Sequence, residues 1–398
     1  MTMQVLILGE TTVKLWGLSA TERLRRQLRE AGDFTLIEST AELTRPATLL
    51  LLSADFLFEV RTLSAFSTKK DALLMHPGSG TPAAAVVEGA SYQQAMACIS
   101  GSLDPLESPL QVIKPADLAA FNETLKSAQE PLLEPVSPGR KRELENRLYG
   151  NAYKGITDLV TKFLWPRPAR KAVQLAATLG LSPNQVTSIG LVLVVAACYL
   201  FYNGHYLSGL AAGWVMTFLD TVDGKLARVT VQSTQFGNLY DHIIDLVHPP
   251  FWYIYWGMSL PGLAPVLGFD QQQMYWLIIG AYVGGRLVEG VFPLLGDCGL
   301  FTWRPFDAWF RLVTARRNPC LIILTLAALA GRPDWGFIAV TFWSVLTTGV
   351  LALRLLQGVF SRLRSGPLHS WLSAADVATG PHRGAFRVFG STRGAYGA

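Results

Sequence analysis

Two neighbouring stretches of the chain decide its fold: Asp220-Thr221-Val222-Asp223-Gly224-Lys225-Leu226-Ala227-Arg228, and the residues from Gly237 through Asp241 to Asp245. They place four carboxylates inside otherwise largely apolar segments. Near the middle of a bilayer each charged residue costs roughly 2.5–3.5 kcal/mol, so four uncompensated carboxylates cost on the order of 10 kcal/mol or more. Something must therefore neutralise these side chains.

The spacing of the carboxylates indicates how they meet. Asp220 and Asp223 are three residues apart and Asp241 and Asp245 four apart, so each pair projects from one face of a helix. At about 1.5 Å per residue, both pairs lie roughly 8 to 14 Å from the cytosolic ends of two antiparallel helices. Carboxylates without His or Cys favour Mg²⁺ or Mn²⁺, and the four predict a site for two such ions.

The alternative is that the buried carboxylates form ion pairs with Lys225, Arg228 and Arg286, but these cations are too few for four acids. Small residues lie between the pairs, at Gly224, Ala227 and Gly237. Small residues let backbones or a flat ligand approach closely, which beside a metal site predicts room for a nucleotide. Taken singly, each is typical of helix packing.

The composition around this motif is that of a membrane protein. The chain has 398 residues, of which 50% are hydrophobic and 16% charged, too few charges for a wholly soluble surface. Four cysteines show no spacing typical of disulfides or zinc. The apolar segments predict six transmembrane spans, at about 184–202, 206–229, 236–257, 273–295, 318–331 and 335–357. Basic residues flank one side, which places both termini and the carboxylates at the cytosolic face of a plasma or inner membrane.

The predicted fold is an α-helical integral membrane domain with six transmembrane helices, preceded by a small soluble α/β domain. Residues 1–130 form the α/β domain, because short apolar runs alternate with helical patterns. Residues 131–181 form a linker and a basic interfacial helix on anionic headgroups, the alternative being a solvated charged helix. The membrane domain occupies 182–360, and 361–398 are expected to be a flexible basic tail.

The motif has a known counterpart. Asp220-x2-Asp223-Gly224-x2-Ala227-Arg228-x8-Gly237-x3-Asp241-x3-Asp245 matches the signature of the CDP-alcohol phosphotransferase family without a gap. Ser182-Pro183-Asn184-Gln185-Val186-Thr187 is similar to the opening of that family's first span. The resemblance implies an integral membrane enzyme with six helices.

Members of that family transfer a substituted phosphoryl group from a CDP-linked alcohol to an alcohol acceptor and release CMP. The resemblance implies that Asp220, Asp223 and Asp241 bind two Mg²⁺ or Mn²⁺ ions, and that Asp245 is the base for the acceptor hydroxyl and also a metal ligand. It further implies a cytidine site, formed by Thr187, Gly224, Ala227, Arg228 and Gly237. The donor is of the CDP-diacylglycerol or CDP-inositol type, which indicates phospholipid or polyol-phosphodiester biosynthesis, and the acceptor is a small polar or phosphorylated alcohol. Such enzymes are often homodimers, and no nucleic acid is expected as a partner.

The acceptor site is predicted from basic residues of the later spans. Intramembrane arginines mark candidate functional positions, and Arg286, Arg316 and Arg354 are candidates for the acceptor phosphate. The alternative is an ion pair between Arg286 and Glu289. His248 shares the face of Asp245 and competes weakly with it as the base, but the favoured interpretation is that His248 and Pro249 line a kink. His242 is expected to face away.

The N-terminal region is distantly similar to nucleotidyltransferases. Leu50-Leu51-Leu52-Ser53-Ala54-Asp55 resembles their strand that ends in a metal-binding Asp. Gly17 to Leu24, followed by Ala31-Gly32, resembles the helix that precedes their second strand. However, Leu8-Gly9-Glu10-Thr11-Thr12-Val13-Lys14 lacks the glycine-rich basic loop that cradles phosphates. We therefore expect a degenerate domain without catalysis, which still binds a ligand or orients the membrane domain.

A different class of function is also open, namely a divalent-metal transporter or a metal-binding membrane protein, because intramembrane carboxylates also line ion pathways. It predicts metal flux without any need for CDP. The Gly224, Ala227, Arg228 and Gly237 spacing has no role in that alternative.

Overall fold

The computed structural model describes residues 3–43, 48–88, 91–118, 120–374 and 377–390. An α/β region comes first and a helical region follows it, in the order that the sequence predicts. Residues 391–398, with Arg393 of the predicted tail, lie outside the described residues.

The α/β region contains strands and helices in alternation. Its elements are β1 Met3–Leu8, α1 Ala20–Ala31, β2 Phe34–Ile37, β3 Thr48–Ser53, β4 Phe56–Phe58, α2 Val60–Ser67, β5 Ala72–Met75, β6 Pro82–Glu88, α3 Tyr92–Ile99, β7 Gln111–Ile113, β8 Phe121–Asn122, β9 Ser127–Ala128 and β10 Leu133–Pro135. The predicted apolar runs thus form β1, β3, β5 and β6.

The main sheet of this region is mixed, with strand order β2-β1-β3-β6-β5-β7. Strand β1 is parallel to β2 and β3, whereas β6 is antiparallel to β3 and β5. The strand residues Val5, Leu50, Leu52 and Val86 are fully buried, because helices cover the sheet. Asp55 lies just beyond the end of β3, beside Gly9. The likeness to nucleotidyltransferases stays a prediction.

The helical region begins with α4 Lys141–Asn151, a π-helical turn at Val160–Leu164 and α5 Pro166–Thr178. The long helices follow, with shorter ones between and after them: α6 Pro183–Tyr202, α7 Tyr206–Val229, α8 Gln235–Met258, α9 Gln271–Val291, α10 Leu300–Trp303, α11 Pro305–Arg311, α12 Arg317–Leu329, α13 Pro333–Ser365 and α14 Arg383–Phe389.

Local sequence signals set where the first long helix begins. Ser182 accepts a hydrogen bond from the Gln185 amide, and Gln185 accepts one from the Ser182 amide. This capping box, with Pro183 in the first turn, is typical of a helix N-terminus. Helix α6 therefore begins where the sequence predicts the first span.

Among the described residues, three helical segments are long and apolar enough to cross a membrane, namely Pro183–Tyr202, Gln271–Leu295 and Pro333–Ser365. Helices α7 and α8 have 24 residues each but carry the carboxylates, and α12 has only 13 residues. Helices thus occupy all six predicted ranges, whereas crossing by six spans stays a prediction.

Two segments differ from their predictions. The 131–181 stretch contains two helices, α4 and α5, rather than one, and residues 152–165 separate them. The 361–398 stretch is not wholly a flexible tail. Helix α13 continues to Ser365, and Leu368, Trp371, Leu372 and Phe389 are buried in a hydrophobic cluster.

The α/β region docks on the helical region through the loop after β1. The Trp16 amide donates to a Glu145 carboxylate oxygen at 3.0 Å, and the Trp16 indole N–H donates to the Glu145 carbonyl at 3.1 Å. The Trp16 ring stacks on Tyr149, with 6.1 Å between the ring centroids. A second contact joins Arg26 to the Thr230 carbonyl at the end of α7. The two regions are therefore in direct contact beside the carboxylate-bearing helix.

Candidate active site

Helices α7 and α8 bring three carboxylates together. One oxygen each from Asp220, Asp223 and Asp241 lies within 4.8 Å of the other two. Asp223 is buried and the other two are half-buried. The donor set is oxygen only, which fits a hard divalent cation such as Mg²⁺ or Mn²⁺. These three side chains could therefore hold a metal ion.

Asp245 lies one helical turn beyond Asp241 and is linked to the cluster through Arg317. Arg317 Nη2 donates to Asp220 Oδ2 at 2.5 Å, and Arg317 Nη1 donates to Asp245 Oδ1. This guanidinium at the start of α12 bridges the two helices that carry the carboxylates. It fixes the orientation of Asp245 and supplies positive charge to the site.

The cations that the sequence offered as ion-pair partners are engaged elsewhere. Lys225 Nζ lies 3.8 Å from the centroid of the Tyr153 ring, and Arg228 Nε donates to the Ala152 carbonyl at 2.8 Å. Arg286 lies 3.6 Å from Glu289. Among the described residues, Arg317 is the cation that forms ion pairs with these carboxylates, and the sequence did not indicate it because its partners lie 72 and 97 residues away.

The residues predicted for a cytidine site take different places. Thr187 donates to Asp223 Oδ2 at 2.5 Å, so its hydroxyl supports a carboxylate of the cluster. Gly224 and Arg228 line the cavity described below. Gly237 lies against Asn184, and a Cβ there would be 2.5 Å from Asn184 Oδ1. A larger residue at Gly237 would therefore require the Asn184 side chain to move. Ala227 is half-buried on the same turn as Arg228.

A cavity of about 940 Å³ opens beside the carboxylates. Its volume suits a ligand larger than one sugar or phosphate. Asp220, Asp241 and Asp245 contribute to its wall, together with the positively charged Lys126, Lys154, Lys225, Arg228, Arg286, Arg311, Arg316 and Arg317. The cavity therefore combines a candidate metal site with a strongly basic surface.

The predicted acceptor arginines separate into two groups. Arg286 and Arg316 line the cavity, and both lie beside Glu289, with which Arg316 forms an ion pair. The alternative pairing of Arg286 with Glu289 is thus present. Arg354 is not among the lining residues; its buried guanidinium is held by Asp307 of α11 at 2.6 Å. The structure therefore places Arg354 away from the cavity, where it neutralises a buried carboxylate.

The two histidines of α8 lie in different environments. His242, expected to face away, lines the cavity. His248 is buried, with Nδ1 at 2.6 Å from the Ile244 carbonyl and its ring against Trp252. This packing favours a structural role for His248 beside Pro249. Pro249 and Pro250 lie inside α8 and supply no backbone N–H for its hydrogen bonds.

A buried carboxylate before the first long helix fixes the start of α12. Asp158 accepts hydrogen bonds from the Thr161 amide at 3.0 Å, the Thr161 hydroxyl at 2.8 Å and Asn318 Nδ2 at 2.9 Å. Burial opposes the ionisation of Asp158, but Arg311 and these hydrogen bonds outweigh it and lower its pKa. Asn318 follows Arg316 and Arg317 directly, so Asp158 positions both arginines. Sequence analysis missed this residue, which lies 160 residues from Asn318.

Sequence comparison agrees with this geometry. A sequence model of the CDP-alcohol phosphatidyltransferase family matches residues 180–380, just over half of the chain. The chain belongs to the CDP-alcohol phosphatidyltransferase family. The match covers α6 to α13 and all four carboxylates of the signature, and it begins after the α/β region.

Curated relatives of this CDP-alcohol phosphatidyltransferase family member carry several names. The archaetidylinositol phosphate synthase of Pyrococcus horikoshii is 37% identical over 98 residues, 24% of this chain and 50% of the relative. A putative cardiolipin synthase of Mycobacterium tuberculosis is 30% identical over 124 residues, 30% of this chain and 52% of the relative. Cholinephosphotransferase 1 of Danio rerio is 30% identical over 129 residues, 30% of this chain and 32% of the relative. The chain thus spans about half the length of the first two and a third of the last.

Proposed function

We propose that this chain transfers a substituted phosphoryl group from a CDP-linked alcohol to an alcohol acceptor, with release of CMP. The observation that carries the proposal is the convergence of Asp220, Asp223 and Asp241 within 4.8 Å, inside the segment that the family model matches. The pyrophosphate of the donor is strongly negative, and the carboxylates of the site repel it. The site therefore suits this donor only when metal ions are bound to the carboxylates. The donor is of the CDP-diacylglycerol or CDP-inositol type, and the acceptor is a small polar or phosphorylated alcohol.

In the proposed reaction, the residues of the site have separate roles. Asp220, Asp223 and Asp241 hold one or two Mg²⁺ or Mn²⁺ ions, which neutralise charge on the phosphoryl oxygens when bound. Asp245 accepts the proton of the acceptor hydroxyl, whose oxygen forms the new bond to phosphorus as the bond to CMP breaks. Thr187 orients Asp223, and Arg317 orients Asp245. Gly224 and Arg228 border the space for the cytidine part of the donor.

We also propose how the helices of this chain lie in the membrane. The six helices α6, α7, α8, α9, α12 and α13 span the bilayer, with the carboxylates near the cytosolic side and both termini in the cytosol. Basic residues before α6 and after α13 support this orientation. The exposed apolar side chains of α8, such as Leu239, Ile243 and Phe251, face lipid in this arrangement. A metal transporter is the less favoured alternative, because it gives the small residues of the family motif no role.

The test is CMP release by purified protein with Mg²⁺ or Mn²⁺, either donor and a panel of acceptors. Asp220→Ala, Asp223→Ala and Asp241→Ala each abolish CMP release, while Asp245→Asn abolishes turnover and retains CDP binding. Asp297→Asn is the matched control, since Asp297 is exposed and lies outside the cavity lining. CMP release by Asp245→Asn at the wild-type rate would remove Asp245 from the role of base, and metal flux without CMP release would favour the transporter.

A further inference from the structure

A hairpin outside the family-matched segment brings a lysine into the cavity. Strands β8 and β9 pair antiparallel, and Lys126 lies in the turn between them, with a left-handed φ of 49°. Its amide donates to the Glu123 carbonyl at 3.2 Å, which closes the turn. Lys126 lines the same cavity as Asp220 and Asp241. The α/β region of the chain thus leads directly into a hairpin that forms part of the reaction chamber.

Backbone contacts hold this hairpin in place. The Gly155 amide donates to the Leu125 carbonyl at 2.7 Å, and the Ala128 amide donates to the Gly390 carbonyl at 3.0 Å. A Cβ at Gly155 would be 2.4 Å from the Lys126 carbonyl oxygen, so only glycine fits there. The hairpin is therefore a built wall of the cavity, and its position determines where the Lys126 ammonium lies.

Only some of the positive side chains at the Lys126 end of the cavity form an ion pair with an acid. Glu289 forms ion pairs with both Arg286 and Arg316. By contrast, Lys126, Lys154 and Arg311 take part in no ion pair within 4.0 Å among the described residues, and the Nη1 of Arg311 is buried without a hydrogen-bond partner. The Asp158 carboxylate, which also lines the cavity, offsets part of the charge of Arg311. Three of the cations surround one ring: the Phe301 centroid is 5.4 Å from Arg311, 5.6 Å from Arg316 and 5.9 Å from Lys126. The positive charges of Lys126, Arg311 and Arg316 repel one another, and an anion bound between them reduces this repulsion.

The electrostatic state of Lys126 reflects this crowding. Desolvation in the cavity lowers the pKa of Lys126 to about 7, and Arg311, Lys154 and Arg316 act in the same direction, while Glu123 opposes them. Desolvation and Arg228 also lower the pKa of Lys154, against the effect of Asp220 and Asp241. Lys154 thus lies within electrostatic range of the carboxylate cluster on one side and of Arg311 on the other.

We propose that Lys126, together with Lys154 and Arg311, binds the phosphate of a phosphorylated alcohol acceptor and makes the site selective for it over the free alcohol. A phosphate oxygen accepts strong charge-assisted hydrogen bonds, and three converging cations match its charge. The inference rests on the proposed function for the identity of the ligand as acceptor. It assigns the selection of the acceptor to a hairpin that precedes the family domain.

The test measures binding directly, so that it does not depend on turnover. Glycerol 3-phosphate and glycerol are titrated calorimetrically into the full-length protein in detergent with Mg²⁺. Wild type binds glycerol 3-phosphate and not glycerol. Lys126→Gln weakens this binding roughly tenfold or more, since a charge-assisted bond is lost, whereas Lys126→Arg stays within about threefold. Lys171→Gln, on the exposed side of α5, is the matched control and leaves binding unchanged.

Several outcomes would overturn the inference. These are wild type that fails to bind glycerol 3-phosphate, Lys126→Gln that binds it as wild type does, and Lys126→Gln that weakens CDP binding by as much, which would assign the lysine to the donor. If Lys126→Gln does not fold by circular dichroism, Lys154→Gln decides by the same criterion. Absence of CMP release with every donor would remove the proposed function, while the calorimetric result would still decide whether this phosphate subsite exists.

Discussion

Replacing Gly155 by alanine tests how the Lys126 hairpin is held. The added Cβ would lie 2.2 Å from the Phe389 carbonyl oxygen and 2.4 Å from the Lys126 carbonyl oxygen. Carbon and oxygen atoms in contact are normally about 3.3 Å apart, so both backbone segments must move by about 1 Å. Side-chain rotation cannot relieve the clash, because both obstacles are backbone atoms. Overpacking of this kind costs about 1–3 kcal/mol, and we expect the upper end.

The measurement is thermal unfolding of the detergent-solubilised protein, combined with glycerol 3-phosphate titration. Gly155→Ala should lower the unfolding midpoint and weaken phosphate binding, because the hairpin carrying Lys126 is displaced. Gly384→Ala in α14 is the control: its Cβ would meet no atom within 4 Å, and alanine favours a helix by about 1 kcal/mol. A Gly155→Ala protein with the midpoint and affinity of wild type would refute close packing as the cause of the hairpin's position.

Three further predictions follow from other contacts. Phosphate binding should weaken as pH rises from 7 to 9, because Lys126, with a pKa of about 7, loses its charge above that pH; titrations at each pH should show this loss in wild type but not in Lys126→Arg. Asp158→Asn should cost about 3 kcal/mol in urea unfolding at pH 7, because a buried hydrogen-bonded charge is lost. The pKa of Asp158 is lower in the folded protein than its value of about 3.9 in the unfolded chain, so its ionised carboxylate stabilises the fold at pH values above about 3.9. This contribution is lost as the pH falls, so Asp158→Asn should lose less stability than wild type on acidification. Trp16→Ala should cost about 3–5 kcal/mol at the contact between the two regions and speed proteolysis between β10 and α4.

The sequence was sufficient to place helices at the six predicted ranges. It predicted that four carboxylates meet, and three of them, Asp220, Asp223 and Asp241, lie within 4.8 Å of one another. Spacings of three and four residues put each pair on one helix face, and a short connection makes α7 and α8 antiparallel neighbours. These are local rules, and they depend on nearby residues only. The same is true of the start of α6, where Ser182 and Gln185 cap the helix within one turn.

The remaining parts of the site depend on contacts between distant residues. Arg317 reaches Asp220 across 97 residues, and Asn318 reaches Asp158 across 160. Hydropathy does not show which way an intramembrane arginine points, so it could not separate Arg286 from Arg354, which faces Asp307 on a short helix outside the spans. The hairpin of Lys126 is two residues long on each strand, too short to give a periodic signal.

The contact between the Lys126 hairpin and Gly390 has a consequence for folding during synthesis. Ala128 bonds to Gly390, and the segment after α4 packs against both. Domains generally acquire their structure in order as they leave the ribosome. Here the early α/β region can form first, but the wall that it contributes to the chamber is completed only when residue 390 has been synthesised. During translation the nascent protein therefore passes through a stage in which its helices have been synthesised while the cavity is still open on that side.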